Sequence, residues 1–168
     1  MENLRLSWLV FLVVTVIALV AWGYSYNQMP ERMASHFNAA GAPNGWMTKN
    51  QFFSLNVILI AVAAFSGFFP GRKIAKLPAS KINLPNKEYW LDPARREETV
   101  AYFQRWFAWF GCAILLLVVL VMQLVIESNR SPTPMLPLGP IMIILFGFLI
   151  FITVRTIAMY RRFSKIAG

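Results

Sequence analysis

Four long apolar runs, broken by polar connections, dominate the chain. They lie at 6–24 (LSWLVFLVVTVIALVAWGY), 52–69 (FFSLNVILIAVAAFSGFF), 106–126 (WFAWFGCAILLLVVLVMQLVI) and 138–159. A bilayer core takes roughly 20 such residues as a helix. Hydrocarbon offers backbone groups no partner, so each run is expected to be helical rather than stranded. The predicted fold is an all-α integral membrane protein of four transmembrane helices in a single domain over residues 1–168. A short ordered outer loop, 27–50, joins the first two helices, and a basic cytoplasmic loop, 70–104, leads into a long third helix. The first run has Arg5 ahead of it, as a secretory signal would. It is long for a signal core, and Ala18 and Ala21 are poorly placed for cleavage, so it is read as a span.

The connections carry their own signals. Pro70 and Gly71 are expected to end the second span. Asp92 can cap a new helix with Pro93 in its first position and Glu97 and Glu98 near its positive end, and nothing breaks the pattern before Ile126. Val100, Phe103 and Phe107 recur there at helical spacing, a stripe for the inner leaflet, for the chain itself or for a soluble partner. In the outer loop, Pro30 and Glu31 suggest a short helix whose Met29, Met33 and Phe37 form an apolar edge, ending around Asn38 to Gly41. Pro43, Asn44 and Gly45 then suggest a tight turn, and Thr48 with Gln51 a capping box that opens the second span.

Composition agrees with the pattern: 58% of the 168 residues are hydrophobic, 14% are charged, and mean hydropathy is +0.55. The net charge of +9 does not indicate nucleic acid, because the basic residues lie between apolar runs instead of on a soluble module. It does set an orientation. Arg72, Lys73, Lys76, Lys81, Lys87, Arg95 and Arg96 crowd the central connection, and Arg161, Arg162 and Lys165 the tail. The outer loop holds only Arg32 and Lys49, and the last connection only Arg130. The positive-inside rule then puts both termini and the central loop in the cytoplasm, as expected of a multi-pass membrane protein. Trp22, Tyr24 and Tyr26 mark the outer edge of the first span, Trp106 and Trp109 the inner edge of the third. Cys112, the one cysteine, sits in an apolar run and reads as a packing residue.

Candidate chemistry gathers at the outer end. Asn56 and Gln123 lie about one turn inside their spans, with Glu127 just beyond, so their side chains share a height. Polar groups in a membrane usually face a bundle interior or a wet cavity. With His36, Asn38, Asn44, Trp46 and Lys49 in the loop above, they form either a ligand pocket roofed by the loop or a set of hydrogen bonds that orders the lid. For catalysis there is no second histidine and no HExxH, and Ser35, Ser54 and Thr48 lack a nucleophile motif. A zinc site from His36, Glu31 and Glu127 is the enzymatic alternative, although no cofactor or metal is expected. No inverted repeat suggests a transporter. Arg155 lies about a turn inside the inner edge, where it can snorkel. Ala61, Ala63, Ala64, Ser66 and Gly67 suit close helix packing, and Thr15 can bond its own backbone.

The stretch Met29 to Lys49, MPERMASHFNAAGAPNGWMTK, resembles the signature of a bacterial domain-of-unknown-function family found in SdpI-type toxin-immunity membrane proteins. His36, Phe37, Asn38, Gly41, Gly45, Trp46 and Lys49 fill its places, and Asn83 to Thr99 resembles the cytoplasmic segment of the same group. The resemblance implies protection against a secreted membrane-active peptide and signalling by a soluble protein held at the membrane. The sequence departs from that branch's pattern: four spans are expected, and no second immunity module is recognisable in it. The reading is a non-enzymatic binding or sensing protein whose partners are the bilayer, an extracytoplasmic peptide or small ligand, and a cytoplasmic protein at Arg72 to Arg105. The alternatives are an accessory subunit of a larger membrane complex and a membrane metalloenzyme using His36.

Overall fold

The computed structural model describes residues 2–166; of the domain expected over 1–168, residues 1, 167 and 168 lie outside the described residues. Its elements are α1 (Glu2–Ser25), β1 (Arg32–Phe37), β2 (Pro43–Thr48), α2 (Lys49–Lys76), α3 (Lys87–Trp90), α4 (Pro93–Asn129) and α5 (Leu138–Phe163), with 3₁₀ turns at Tyr26–Gln28 and Ala79–Lys81. Four helices are long and apolar enough to cross a bilayer. The chain is an all-α multi-pass membrane protein with one small hairpin at one end of the bundle.

Helix α4 is the centre: α1, α2 and α5 all pack on it. Where α2 crosses α4, backbone meets backbone. A Cβ at Gly67 would stand 2.8 Å from the Gly111 Cα and 2.6 Å from the Phe11 ring, so only glycine fits both helices. Of the small residues on α2, Ala63 and Gly67 are buried and Ala61 is exposed. Gly71 continues the stripe at the same four-residue spacing, its missing side chain leaving room for Gln104 of α4 at 3.0 Å. Hydroxyls inside the helices return to their own backbones: Thr15 donates to the Phe11 carbonyl and Ser25 to that of Ala21, both at 2.8 Å.

Pro70 does not end α2, contrary to the sequence expectation; the helix runs through it to Lys76. An interior proline forfeits one backbone hydrogen bond and normally breaks a helix. Here Gly71 lets the next turn lie directly on α4, and the contact holds the helix together past the proline. The capping box is present: the Thr48 hydroxyl accepts from the Gln51 amide at 3.2 Å, and the Gln51 side chain accepts from the Thr48 amide at 3.0 Å. Asp92 caps α4 through the Ala94 amide, with Pro93 in the first position.

The basic connection, expected as a loop, is itself folded. Ile82, Leu84, Leu91 and Phe103 close around Phe163, the last residue of α5, which is fully buried. The Trp90 indole and the Asn86 amide both donate to the Phe163 carbonyl at 3.0 Å, and the Thr99 hydroxyl donates to the Trp90 carbonyl at 2.8 Å. Of the stripe Val100, Phe103 and Phe107, the two phenylalanines pack within the chain, and Val100 is half-buried outside this cluster.

Candidate functional site: the anchored hairpin

The segment read as a short helix and a Pro43–Gly45 turn is instead an antiparallel hairpin, with β1 and β2 paired from Arg32 opposite Thr48 to Phe37 opposite Pro43. The spacing of four between Met29, Met33 and Phe37 fits a helix, but four is also a multiple of the strand period of two. The turn falls earlier than expected. Asn38 accepts through Oδ1 from the Ala40 and Ala42 amides at 2.9 and 3.0 Å, and Gly41 adopts φ +80°. Pro43 opens β2, where a strand tolerates proline. Gly45 has a different task from turning: it sits opposite His36, whose ring would lie 2.9 Å from any Cβ there.

Two clamps fix the hairpin to the helices. Asn129, the last residue of α4, is buried and pairs with the β1 backbone as a third strand would. Its Oδ1 accepts from the Ala34 amide at 2.6 Å, and its Nδ2 donates to the Ala34 carbonyl at 3.0 Å and to that of Val125 at 2.8 Å. On the far side, the Leu136 amide donates to the Gly41 carbonyl at 2.8 Å. A Cβ at Gly41 would meet the Leu136 carbonyl oxygen at 2.6 Å, so this contact and the positive φ both demand glycine. Met33 and Ala34 of β1 are completely buried.

The sequence candidates separate into groups. His36, Asn38, Asn44 and Trp46 are exposed on the hairpin, and the Arg32 guanidinium lies 5.0 Å over the Trp46 ring. Lys49 is largely covered, 4.3 Å above the Tyr26 ring and 3.8 Å from the Glu31 carboxylate. Asn56 is buried in the bundle; its Nδ2 donates to the Phe52 carbonyl at 2.7 Å, and its Oδ1 has no hydrogen-bond partner. Gln123 donates to the Ser25 hydroxyl at 3.3 Å. Glu127 is exposed and holds Arg130 at 2.6 Å, and Arg130 also reaches the Gln28 side chain. Among the described residues no hydrogen bond links Asn56, Gln123 or Glu127 to the exposed hairpin candidates. Nor do three histidine, cysteine or acidic side chains come together to hold a metal. Glu31 and Glu127 each face a cation of their own.

One residue departs from its sequence role, and one functional residue has no role legible in the sequence. Trp22, read as a marker of the membrane edge, is buried: it stacks on Phe53 and donates to the Phe53 carbonyl at 3.3 Å. Asn129 was not singled out at all. Its signal was an amide in the last turn of an apolar helix, too common at helix ends to point to a strand partner 95 positions away.

Residues 13–60 match the family model described as "Domain of unknown function (DUF1648)". The match takes in the whole hairpin and stops short of Gly67, Asn129 and Leu136. No curated protein and no solved structure matches the chain. The chain is a multi-pass membrane protein whose hairpin and flanking helical segments are similar to an uncharacterised domain family.

Proposed function

We propose that the chain is a non-enzymatic binding or sensing protein of a bacterial cytoplasmic membrane, whose hairpin faces away from the cytoplasm and takes an extracytoplasmic peptide or small ligand. The observation that carries the reading is the clamp of Asn129 on Ala34. A plain connection between two spans needs no such anchor, whereas a recognition surface gains affinity when its groups are held before the ligand arrives. The groups held here are a cation, an indole, an imidazole and an amide: Arg32, Trp46, His36 and Asn44. The crowding of lysine and arginine at the opposite end supports the orientation. The exposed basic residues Arg72, Lys73, Lys76 and Lys81 are the surface for a cytoplasmic partner. The likeness of Met29 to Lys49 to SdpI-type immunity proteins favours a membrane-active peptide as the ligand.

A second reading, an accessory subunit of a membrane complex, draws on α5. That helix packs on α4, and Phe163 is its only buried residue. Survival assays separate the two. Bacteria producing the chain are challenged with a panel of secreted membrane-active peptides. The sensing reading expects a tenfold or larger rise in the inhibitory concentration of at least one peptide. The rise is lost in the pair His36→Ala and Trp46→Ala at equal protein level. A panel without any rise, together with stoichiometric co-purification of other membrane subunits, would favour the second reading.

A further inference from the structure

We propose that the crevice between α1, α4 and α5 at the basic end binds one anionic glycerophospholipid, its phosphate held by Arg105 and Arg155 and one acyl chain laid along α4. The inference stands apart from the hairpin and from the orientation of the chain. Two adjoining cavities carry it.

The first, about 370 Å³, is lined by three guanidinium groups, Arg105, Arg155 and Arg162, with Leu6, Ser7 and Tyr102. Arg162 is already engaged: it pairs with Glu98 and lies 4.9 Å over the Tyr102 ring. Among the described residues Arg105 and Arg155 have no acidic partner. Arg155 stands eight residues before the end of α5, about a turn inside the inner edge, where its guanidinium can reach the headgroup layer. Guanidinium groups drawn partly out of water at that edge are costly unless paired. Three in one cavity also repel one another, and an anion between them relieves both costs. Arginine forks match phosphate oxygens two at a time, which makes a phosphate the fitting anion.

The second cavity, about 470 Å³, begins where the first ends, since Trp109 lines both. It is almost wholly apolar and follows α4 from Trp109 to Leu120, with Val10 and Val14 on one wall and Ile143 to Phe151 on the other. Eleven residues of helix rise about 16 Å. One leaflet of the hydrocarbon core is about 15 Å deep. The groove therefore has the length of one leaflet's chain, with the arginines at its basic end where the headgroup layer lies. Free phosphate would use only the first cavity; a phospholipid uses both. Gly147 opens the groove, for a Cβ there meets nothing within 4 Å.

The test uses the full chain in detergent, loaded with equal phosphatidylglycerol and phosphatidylcholine and read by native mass spectrometry after delipidating washes. One phosphatidylglycerol should be retained at least tenfold over phosphatidylcholine, and millimolar inorganic phosphate should not displace it. The double variant Arg105→Gln with Arg155→Gln should lose the preference. Gly147→Leu, which fills open space and leaves every arginine in place, should lower retention by a similar factor. Equal retention of the two lipids, displacement by phosphate alone, or wild-type retention in Gly147→Leu would overturn the proposal. The last variant keeps it testable even if the arginine variant does not fold.

Discussion

Replacing Asn129 with alanine should release the hairpin while leaving the four helices in place. The substitution leaves the Ala34 amide and carbonyl, in a residue with no exposed surface, without the side chain that satisfies them. An unsatisfied buried group costs about 1–3 kcal/mol, so the pair amounts to about 2–6 kcal/mol of local stability. Hydrogen exchange reads this directly: protection of the amides from 32 to 48 should fall by about thirtyfold or more, at 1.4 kcal/mol per factor of ten. Amides in the middle of α4 should keep their protection. Asn44→Ala serves as the control, because that side chain is exposed and makes no hydrogen bond to the rest of the described chain. Unchanged protection in Asn129→Ala would mean that the Leu136 clamp and apolar contact suffice to hold the hairpin.

The second large effect is expected where α2 crosses α4. At Gly111 a Cβ would stand 2.6 Å from the Gly67 Cα and 2.5 Å from the Phe11 ring. A backbone atom cannot swing aside as a side chain can, so Gly111→Ala already forces the helices apart, at about 1–3 kcal/mol. Gly111→Leu should go further and cost the bundle its cooperative thermal transition in micelles, followed by circular dichroism. Gly147→Ala and Gly139→Ala, also within a membrane helix, meet nothing within 4 Å and should leave the transition where it is. If Gly111→Leu melted like the parent, the close crossing would not be what holds α2 to α4.

The four spans were legible because twenty-odd apolar residues have one solution in lipid, and the caps at Thr48 and Asp92 because each is a local exchange of hydrogen bonds. What depended on distant contacts was not. Pro70 reads as a stop until Gly71 is seen lying on Gln104. Arg32 to Phe37 reads as helix because a spacing of four serves both periods, and its pairing partners, β2 and Asn129, lie elsewhere in the chain. Trp22 looks like an edge marker until Phe53 is found stacked on it. At the hairpin, sequence picked out the exposed groups, His36, Asn44 and Trp46, and the turn residue Asn38. It missed the anchors, since neither Asn129 nor Leu136 carries a pattern that names its partner.

Thiol labelling with a membrane-impermeant maleimide in intact cells tests the central claim, a hairpin docked on the helices and turned away from the cytoplasm. Single cysteines are placed at 36, 34 and 81 in a Cys112→Ala background, the first and last exposed and the middle one buried. Position 36 should label in intact cells, position 81 only after permeabilisation, and position 34 under neither condition until the protein is denatured. Labelling of 81 but not 36 from outside would reverse the orientation, and ready labelling of 34 would show a hairpin that does not sit on its helices.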